Sequence, residues 1–592
     1  MTTPVIQRRI LKGSYSFQET MHPILQRIYA ARGVTHELEL EKELTALLPF
    51  HTLKGIHEAA VILGHAIMKE ERILIVGDFD ADGATSTALA VSALKKLGAS
   101  QVHFVVPNRF VDGYGLTPEI VVHASSWKPD LIITVDNGIS NFAGVLKAKE
   151  AGIKVVITDH HLPAHELPLA DAIVNPNQPH CAFPSKCLAG VGVIFYVMLA
   201  VRDFLRQEKW FEEKELKEPH LGQYLDLVAL GTVADLVPLD KNNRILVHHG
   251  LKRIQTSRAR PGIQALLKMA QRDFSKVFAQ DLGFAVAPRL NAAGRLDDMS
   301  LGIVCLLSES LSEAMELASQ LDQLNETRRQ IETQMSQEAF YEMTQFSLGE
   351  NIPSGICLFQ ESWHQGVIGI VASRIKEKYH RPVIAFARAE EDLLKGSARS
   401  ISGIHIRDCL QNIAALYPDL IHRFGGHAMA AGLTLKEKDF KKFQKVFEEE
   451  VNQHFNEEMG IHVIYSDGNL TQGEFNLSFA EMIKEAEPWG QSFPEPVFDG
   501  VFKIIDQRLV GGKHLKLVLS FPEENEKWID AIAFNVDLKC WPNHRASHIQ
   551  TAYRLDVNEF RGRRNLQLIL EHLYEVDFSL GEHQKIEEEL SC

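Results

Sequence analysis

Short apolar runs rich in β-branched residues recur from residue 72 onward, with helical patterns between them. Arg72–Val76 (RILIV), Val102–Val106 (VHFVV), Leu131–Val135 (LIITV), Lys154–Thr158 (KVVIT) and Ala172–Val174 read as strands. ATSTALAVSALKKLG and Ala143–Ala151 carry helical periodicity. Strands alternating with helices predict βαβ units and a mostly parallel sheet. This α/β unit is expected over 51–307, after a mixed, partly helical segment 1–50, and it turns helical beyond residue 187.

No Pro or Gly occurs from Ser308 to Ser347, and Leu317, Leu321, Leu324, Arg328, Ile331 and Met335 alternate spacings of four and three. One long helix or a helix pair is expected over 308–350, as a packed connector. A coiled-coil dimer seam is the weaker alternative, because Arg328 interrupts it. A second, smaller α/β unit is expected over 351–460, where strands GICLF (355–359) and PVIAFA (382–387) flank the helix VIGIVASRIKEKY. Residues 461–577 turn strand-rich: VFKIIDQRLV, HLKLVLSF, WIDAIAF, AYRLDVNEF and NLQLILEHLYEV. Five strands joined by short turns predict a small barrel of the OB type. Residues 578–592 form an acidic tail.

The length, 592 residues, exceeds what one core can serve. Lys and Arg number 62 against 77 Asp and Glu, a net −15 that argues against a wholly basic nucleic-acid coat but leaves room for a local basic channel. The cysteines, at 181, 187, 305, 357, 409, 540 and 592, include no CxxC pair, so a disulfide framework or a cysteine zinc site is not expected. The N-terminus has no apolar leader core. The charge-free run Cys187–Val201 is shorter than the roughly 18–20 apolar residues a membrane span requires, and it reads as a buried helix. A soluble protein of a reducing compartment, the cytoplasm, is expected.

The sharpest local signal is Asp78-Phe79-Asp80-Ala81-Asp82-Gly83. Three carboxylates within five residues repel one another unless a cation neutralises them. A calcium loop of the EF-hand type needs a Glu at its twelfth position and a helix before it; here that position is Leu89 and a strand precedes. Asp136 follows strand LIITV, and Asp159 follows KVVIT and opens Asp159-His160-His161. In an open parallel sheet the carboxyl ends of the strands face one crevice, so these acids converge. Asp235, in GTVADLVPL, is a further candidate. Alone, any of these acids reads as readily as a helix cap or turn former, and either histidine as a structural one. Together, carboxylates and imidazoles without thiolates suit Mn²⁺ or Mg²⁺. Two such ions about 3.5–4 Å apart clamp a phosphoryl group, and a carboxylate such as Asp136 would bridge them.

GDFDADG, VDNG, DHH and GTVADLVPL, in that order, resemble the motifs of the DHH phosphoesterases. APRLNAAGR (287–295), HQGVIGIVASRI (364–375), KGSARS (395–400) and GGHAMAAG (425–432) resemble the later motifs of the RecJ-type single-strand-specific exonucleases within that superfamily, and PWGQSFPEPVF and NEFRGRRNLQL their OB-fold region. The resemblance covers roughly residues 50–575. It implies a parallel-sheet DHH domain, a smaller DHHA1-like α/β domain behind a long helix, and a C-terminal OB-fold barrel. It also implies a processive 5′→3′ exonuclease on single-stranded DNA that depends on Mn²⁺ or Mg²⁺ and serves repair and recombination. By motif position, Asp78, Asp80 and Asp136 would hold one ion, and Asp82, Asp136, His160 and Asp235 the other. Many relatives carry a histidine where this chain has Asp78. His161 would face the scissile phosphate, and Asp159 would orient the histidines.

Phosphate anchors outside the metal site are expected from Arg289, Asn291, Arg374, Ser397, Arg399 and His427. Guanidinium forks match phosphate oxygens, and glycine-flanked backbone admits an anion. The structural alternatives are interdomain ion pairs for the arginines and close packing for GGHAMAAG. From 500 to 570 the barrel region holds eleven Lys and Arg against eight Asp and Glu. Lys513, Lys516 and Arg561 are its candidate DNA contacts. Phe534 is expected in the barrel core. Two further readings compete: a phosphodiesterase for short or cyclic oligonucleotides, disfavoured by the barrel and connector, and an inactive DNA-binding scaffold, disfavoured by the intact acids. The resemblance suggests a single-strand-binding protein and a RecQ-type helicase as partners; a monomer with no membrane contact is expected.

Overall fold

The computed structural model describes residues 4–11, 13–347, 352–390, 392–456, 458–486, 488–522, 527–560 and 562–576. The chain divides into two compact units, one of Leu38–Arg329 with Pro488–Pro494, the other of Met1–Glu37, Gln330–Glu487 and Glu495–Cys592. Strand β1 (Val5–Arg8) opens the chain.

The first unit is built on a five-stranded sheet of β2 (Ile73–Val76), β3 (Val102–Val105), β4 (Leu131–Val135), β5 (Lys154–Thr158) and β6 (Ala172–Val174), all parallel, in the order β3-β2-β4-β5-β6. Every residue of β2 and β4 is buried, as expected for strands covered by helices on both faces. Sequence neighbours β2 and β3 sit side by side, and the chain then returns to the other edge of β2 with β4. The strand order therefore reverses between β2 and β4, and the crevice at their carboxyl ends is where ligands bind in such sheets. Asp78 and Asp136 lie there. The expected buried helix is Gly190–Gln207.

The connector is one helix, Leu311–Ser347. Its buried stripe is displaced from the expected one. Ala314, Ala318, Leu321, Asn325, Arg328, Glu332, Met335, Ala339 and Met343 are buried, whereas Leu317, Leu324 and Ile331 are not fully so. The alternation of four and three was right, but small and polar residues fill the seam. Arg328 donates to Asn325 Oδ1 at 2.7 Å, which supplies a partner inside it.

In the second unit, β7 (Ile356–Phe359), β8 (Val383–Glu390), β9 (Leu393–Arg399), β10 (Arg423–Gly426) and β11 (Ala430–Lys436) form a sheet ordered β10-β11-β9-β8-β7, parallel only between β7 and β8. Phe386, Leu394, Leu410, Phe443 and Phe447 centre its core. Strand β12 (Val463–Ser466) pairs in parallel with β1, more than 450 residues earlier, a pairing that nothing in segment 1–50 advertises. Strands β13 (Phe498–Val510), β14 (His514–Ser520), β15 (Ile529–Ala533), β16 (His548–Phe560) and β17 (Arg563–Val576) close a barrel in the order β13-β14-β15-β17-β16. Each lies on one of the five expected runs. The acidic tail falls outside the described residues.

The N-terminal segment is fixed by charge as well as by pairing. Arg32 meets buried Asp467 with two parallel bonds of 2.8 and 3.0 Å, and both side chains are essentially inaccessible. Arg32→Ala should cost about 3–5 kcal/mol in urea denaturation, because it strands a buried carboxylate. A loss under about 1 kcal/mol would mean that Arg9, 3.7 Å from Asp467, suffices alone. Among the described residues no helix is long and apolar enough to cross a membrane.

Candidate metal centre

Asp78 and Asp80 stand on the turn between β2 and the helix Ala81–Leu97, and Asp82 in the first turn of that helix. Asp80 caps that helix: its Oδ1 accepts from the backbone N–H groups of Asp82 and Gly83 at 2.9 and 3.0 Å. Asp82 is held by a second helix. Gly190 N donates to its Oδ2 at 2.6 Å and Val191 N to its Oδ1 at 3.0 Å, at the start of Gly190–Gln207. A side chain at position 190 would put a Cβ 2.6 Å from the Cβ of Asp136, so only glycine allows this approach. The turn is braced from a third side, where Asn291 Oδ1 accepts from Ala81 N at 2.8 Å.

Asp136 leaves β4 in the left-handed region, φ +63°, and its backbone N–H extends the ladder to Thr158 O at 3.0 Å. Asn137 ties the neighbouring strand ends, donating to Val76 O and Val135 O at 3.0 and 2.9 Å. Strained backbone held by surrounding bonds is a frequent mark of a functional position.

The Asp159-His160-His161 turn is clamped. Asp159 accepts from His160 N (2.7 Å), His161 N (3.0 Å), His161 Nδ1 (2.7 Å) and Ile139 N (2.9 Å). Asn175 and Asn177 donate to the carbonyls of His161 and His160 at 2.8 and 2.6 Å. With both oxygens of Asp159 engaged, it works by orienting the histidines. His160 Nε2 lies 3.1 Å from Asp136 Oδ1 and 3.5 Å from Asp235 Oδ2.

Three overlapping groups result, each with ligand atoms within 4.8 Å of one another: Asp78–Asp80–Asp136, Asp82–His160–Asp235, and Asp136–His160–His161. The first is the set that sequence reasoning assigned to one ion, and the second holds three of the four assigned to the other, with the fourth, Asp136, 3.1 Å from His160. The third adds His161 within ligand reach. The electrostatics state what such a cluster lacks. Burial, then Asp80, pushes Asp78 up to about 8 and Asp82 to about 7. Burial and the other acids drive Asp136 and Asp235 well above the carboxylate range. Burial also opposes the charge on Asp159, but the hydrogen bond and charge of His161 outweigh it and hold Asp159 at about 2. Reciprocally, burial disfavours the imidazolium of His161, yet Asp159 pulls it up to about 9. Oxygen and imidazole donors around an excess of buried negative charge fit hard divalent cations.

The expected phosphate anchors are placed unevenly. Arg289 is buried and pairs with Asp322 at 2.8 Å. Asn291 braces the acid turn as described. Arg374 pairs with Glu332 at 3.0 Å and Glu377 at 3.5 Å. Arg399 donates to Ser397 Oγ at 3.1 Å, and both side chains lie against Gly369 at the start of Ile368–Tyr379. His427 is exposed, its N–H donating to Ala430 O at 2.8 Å. Lys513 is exposed, and Lys516 lies 3.7 Å from Asp530. Arg561 lies outside the described residues. The expectation for Phe534 is overturned: the ring is 53% exposed, edge-on to His514, because its strand has already ended at Ala533.

Sequence reasoning missed the loop after β3. Its Arg109 stacks on Phe79, and its Tyr114 stands edge-on to Phe79 and His161, with its hydroxyl donating to Asp136 O at 3.3 Å. The strand-end rule that found the acids applies equally to the end of β3.

Comparison with known proteins adds a family context. The profile of the DHH family's N-terminal domain matches residues 72–232, that of the DHHA1 domain 353–453 and that of the RecJ OB domain 466–572. The single-stranded-DNA-specific exonuclease RecJ of Salmonella typhimurium is 51% identical over 570 residues, covering 96% of this chain and 99% of that protein. The crystal structure of RecJ in complex with Mn²⁺ from Thermus thermophilus superposes with a TM-score of 0.77 at 30% identity, covering 94% of this chain and 76% of that one. The Mg²⁺ complex of RecJ from the same organism gives 0.70 at 28% identity, covering 94% and 75%.

Proposed function

This chain belongs to the RecJ family of single-stranded-DNA-specific exonucleases, and on that premise we propose that it hydrolyses single-stranded DNA from the 5′ end with two divalent ions. The observation that carries the reading is the pair of ligand groups, Asp78–Asp80–Asp136 and Asp82–His160–Asp235, that adjoin through the 3.1 Å contact of Asp136 with His160. Asp78, Asp80 and Asp136 hold one ion; Asp82, Asp136, His160 and Asp235 hold the other. Bound there, Mn²⁺ or Mg²⁺ supplies Lewis acidity to the phosphodiester and lowers the pKa of a water beside it.

The chain's own groups do the rest. His161 keeps Nδ1 on Asp159 and offers Nε2 to the phosphate; its imidazolium is kept charged by that partner, so it donates a proton or a charge-assisted bond there. Water joins phosphorus, the P–O3′ bond breaks, and the departing 3′ oxygen takes a proton; the shortened strand begins with a new 5′-phosphate. Ser397, Arg399 and His427 serve as anchors for flanking phosphates. Lys513, Lys516 and Arg561 serve the strand at the barrel. Arg289 and Arg374 contribute once phosphate competes with Asp322 and Glu332 for their guanidinium groups. Family membership is the support for a role in repair and recombination, with a single-strand-binding protein and a RecQ-type helicase as companions to a monomeric enzyme.

The test is single-stranded DNA labelled at each end in turn, with Mn²⁺. A 5′ label should be released at once as mononucleotide, while a 3′ label should persist on progressively shorter strands. Mononucleotide released first from the 3′ label would reverse the polarity, and internal fragments would remove the exonuclease reading.

A further inference from the structure

Three histidines far from the acids gather within the second unit. His380 follows the helix Ile368–Tyr379, His462 leads into β12, and His572 stands on barrel strand β17. The rings of His380 and His462 stack, with centres 5.8 Å apart and planes 26° from parallel. The charge of His462 reaches His572 as well, whose ring lies 5.7 Å from that of Tyr574. All three backbones are pinned. His380 N donates to Lys376 O at 2.8 Å, Val5 N on β1 donates to His462 O at 2.9 Å, and Thr551 Oγ1 donates to His572 O at 2.6 Å. The rings are therefore held near one another by three separate elements.

The simple alternative is aromatic packing. Packing alone does not account for one atom: His572 Nε2 is buried and, among the described residues, has no hydrogen-bond partner. A phenylalanine would fill that space without stranding a polar nitrogen. The surroundings also disfavour a proton. Burial, then the charges of His462, Lys376 and Arg381, hold His380 below the usual imidazole value, and burial, then His462, does the same to His572. The acids on these elements are engaged elsewhere: Glu377 with Arg374 at 3.5 Å, Glu571 with Arg554, and Glu575 with Asn543 at 2.8 Å.

We propose that His380, His462 and His572 form a pH-sensitive joint, closed when the rings are neutral and loosened in acid, between the helix Ile368–Tyr379, the lead into β12 and the barrel strand β17. Histidine is the side chain whose charge changes near neutral pH, and three like charges in this space repel. The sign follows from the lowered values. His380 and His572 bind protons less readily closed than open, so opening is favoured as pH falls below the free value of about 6.5. At pH 5.5 each imidazole that regains its free value favours opening by up to about tenfold.

Amide hydrogen exchange of the full chain in EDTA, corrected for its intrinsic pH dependence, reads the opening directly. From pH 7.5 to 5.5, opening of segments 462–466 and 568–574 should rise about tenfold, while β4 changes less than about threefold. His462 is exposed, so its replacement disturbs no core. His462→Lys carries a positive charge at pH 7.5 and should open the joint at neutral pH; His462→Gln should not. His380→Asn, tolerated at φ +50°, should reduce the acid response by about threefold or more. Equal protection of the Lys and Gln variants at pH 7.5 overturns the proposal. So does an acid response undiminished in His380→Asn, or one that β4 shares in full, which is global unfolding. If His462→Lys does not fold, His380→Asn decides alone.

Discussion

Asp136→Asn should abolish single-strand hydrolysis, by at least about 10³-fold, while leaving the metal-free protein as stable as the parent or more so. The two halves of this result have one cause. Asp136 belongs to one ligand group and lies 3.1 Å from His160 of the other, so losing its charge should weaken the binding of both ions. Without ions the same charge is a burden, since burial and the charges of Asp82, Asp80 and Asp78 all oppose it. Removing one of several mutually repelling buried carboxylates should therefore be neutral or gain about 1–2 kcal/mol in EDTA. Asparagine is the right replacement because the residue sits at φ +63°, where Asn is tolerated better than Ala. Thermal unfolding with and without Mn²⁺ supplies the independent readout. At a hundredfold excess over its dissociation constant, Mn²⁺ should stabilise the parent by about 2.7 kcal/mol, and the variant by much less. Activity within tenfold of the parent would show that Asp136 does not bridge.

Asp159→Ala should do the opposite to stability. Asp159 is buried and accepts four bonds, from Ile139 N, His160 N, His161 N and His161 Nδ1. The change strands three backbone donors and releases an imidazolium from its partner, so it should cost about 3–5 kcal/mol. Turnover should fall by about 10²-fold or more, because both histidines lose their fixed orientation. The pH dependence separates this from a general loss of packing. The folded pKa of His161 is raised to about 9, so its pairing stabilises fully below the unfolded value of about 6.5 and is lost as pH rises through 9. The stability gap between parent and variant, both in EDTA, should accordingly narrow from pH 6.5 to 9.5. A gap that stays constant over that range would assign the cost to packing.

Much of the site was legible because its residues sit at punctuation points of regular structure. An all-apolar β-branched run must become a buried strand. In a parallel sheet its carboxyl end must face the ligand crevice, so the runs themselves place Asp78, Asp136 and Asp159 there. What failed, failed where the signal was not local. The four-and-three spacing on the connector put Leu317, Leu324 and Ile331 on the buried stripe with Leu321, Arg328 and Met335, and the structure instead fills those places with Ala318, Asn325 and Glu332. Phe534 looked like a core aromatic, but the period-two argument applies only within the strand, and it follows the strand's last residue. Arg289 and Arg374, candidate phosphate anchors with ion pairs as the alternative, each have an acid partner that no local pattern names.

The sequence by itself determined the strands of the acid-bearing sheet and of the barrel, the order of the motifs and the kind of donor at the centre, because backbone hydrogen bonding imposes fixed periods and those periods are written in consecutive residues. Only the tertiary structure decided which groups meet. Strand β1 finds β12 across more than 450 residues, Asp82 gives both oxygens to the start of a helix 108 residues away, and Arg109 comes to rest on Phe79 rather than on a carboxylate. Such partners are selected by shape, burial and charge once the chain has collapsed, and packing leaves no period in the sequence from which they could be read.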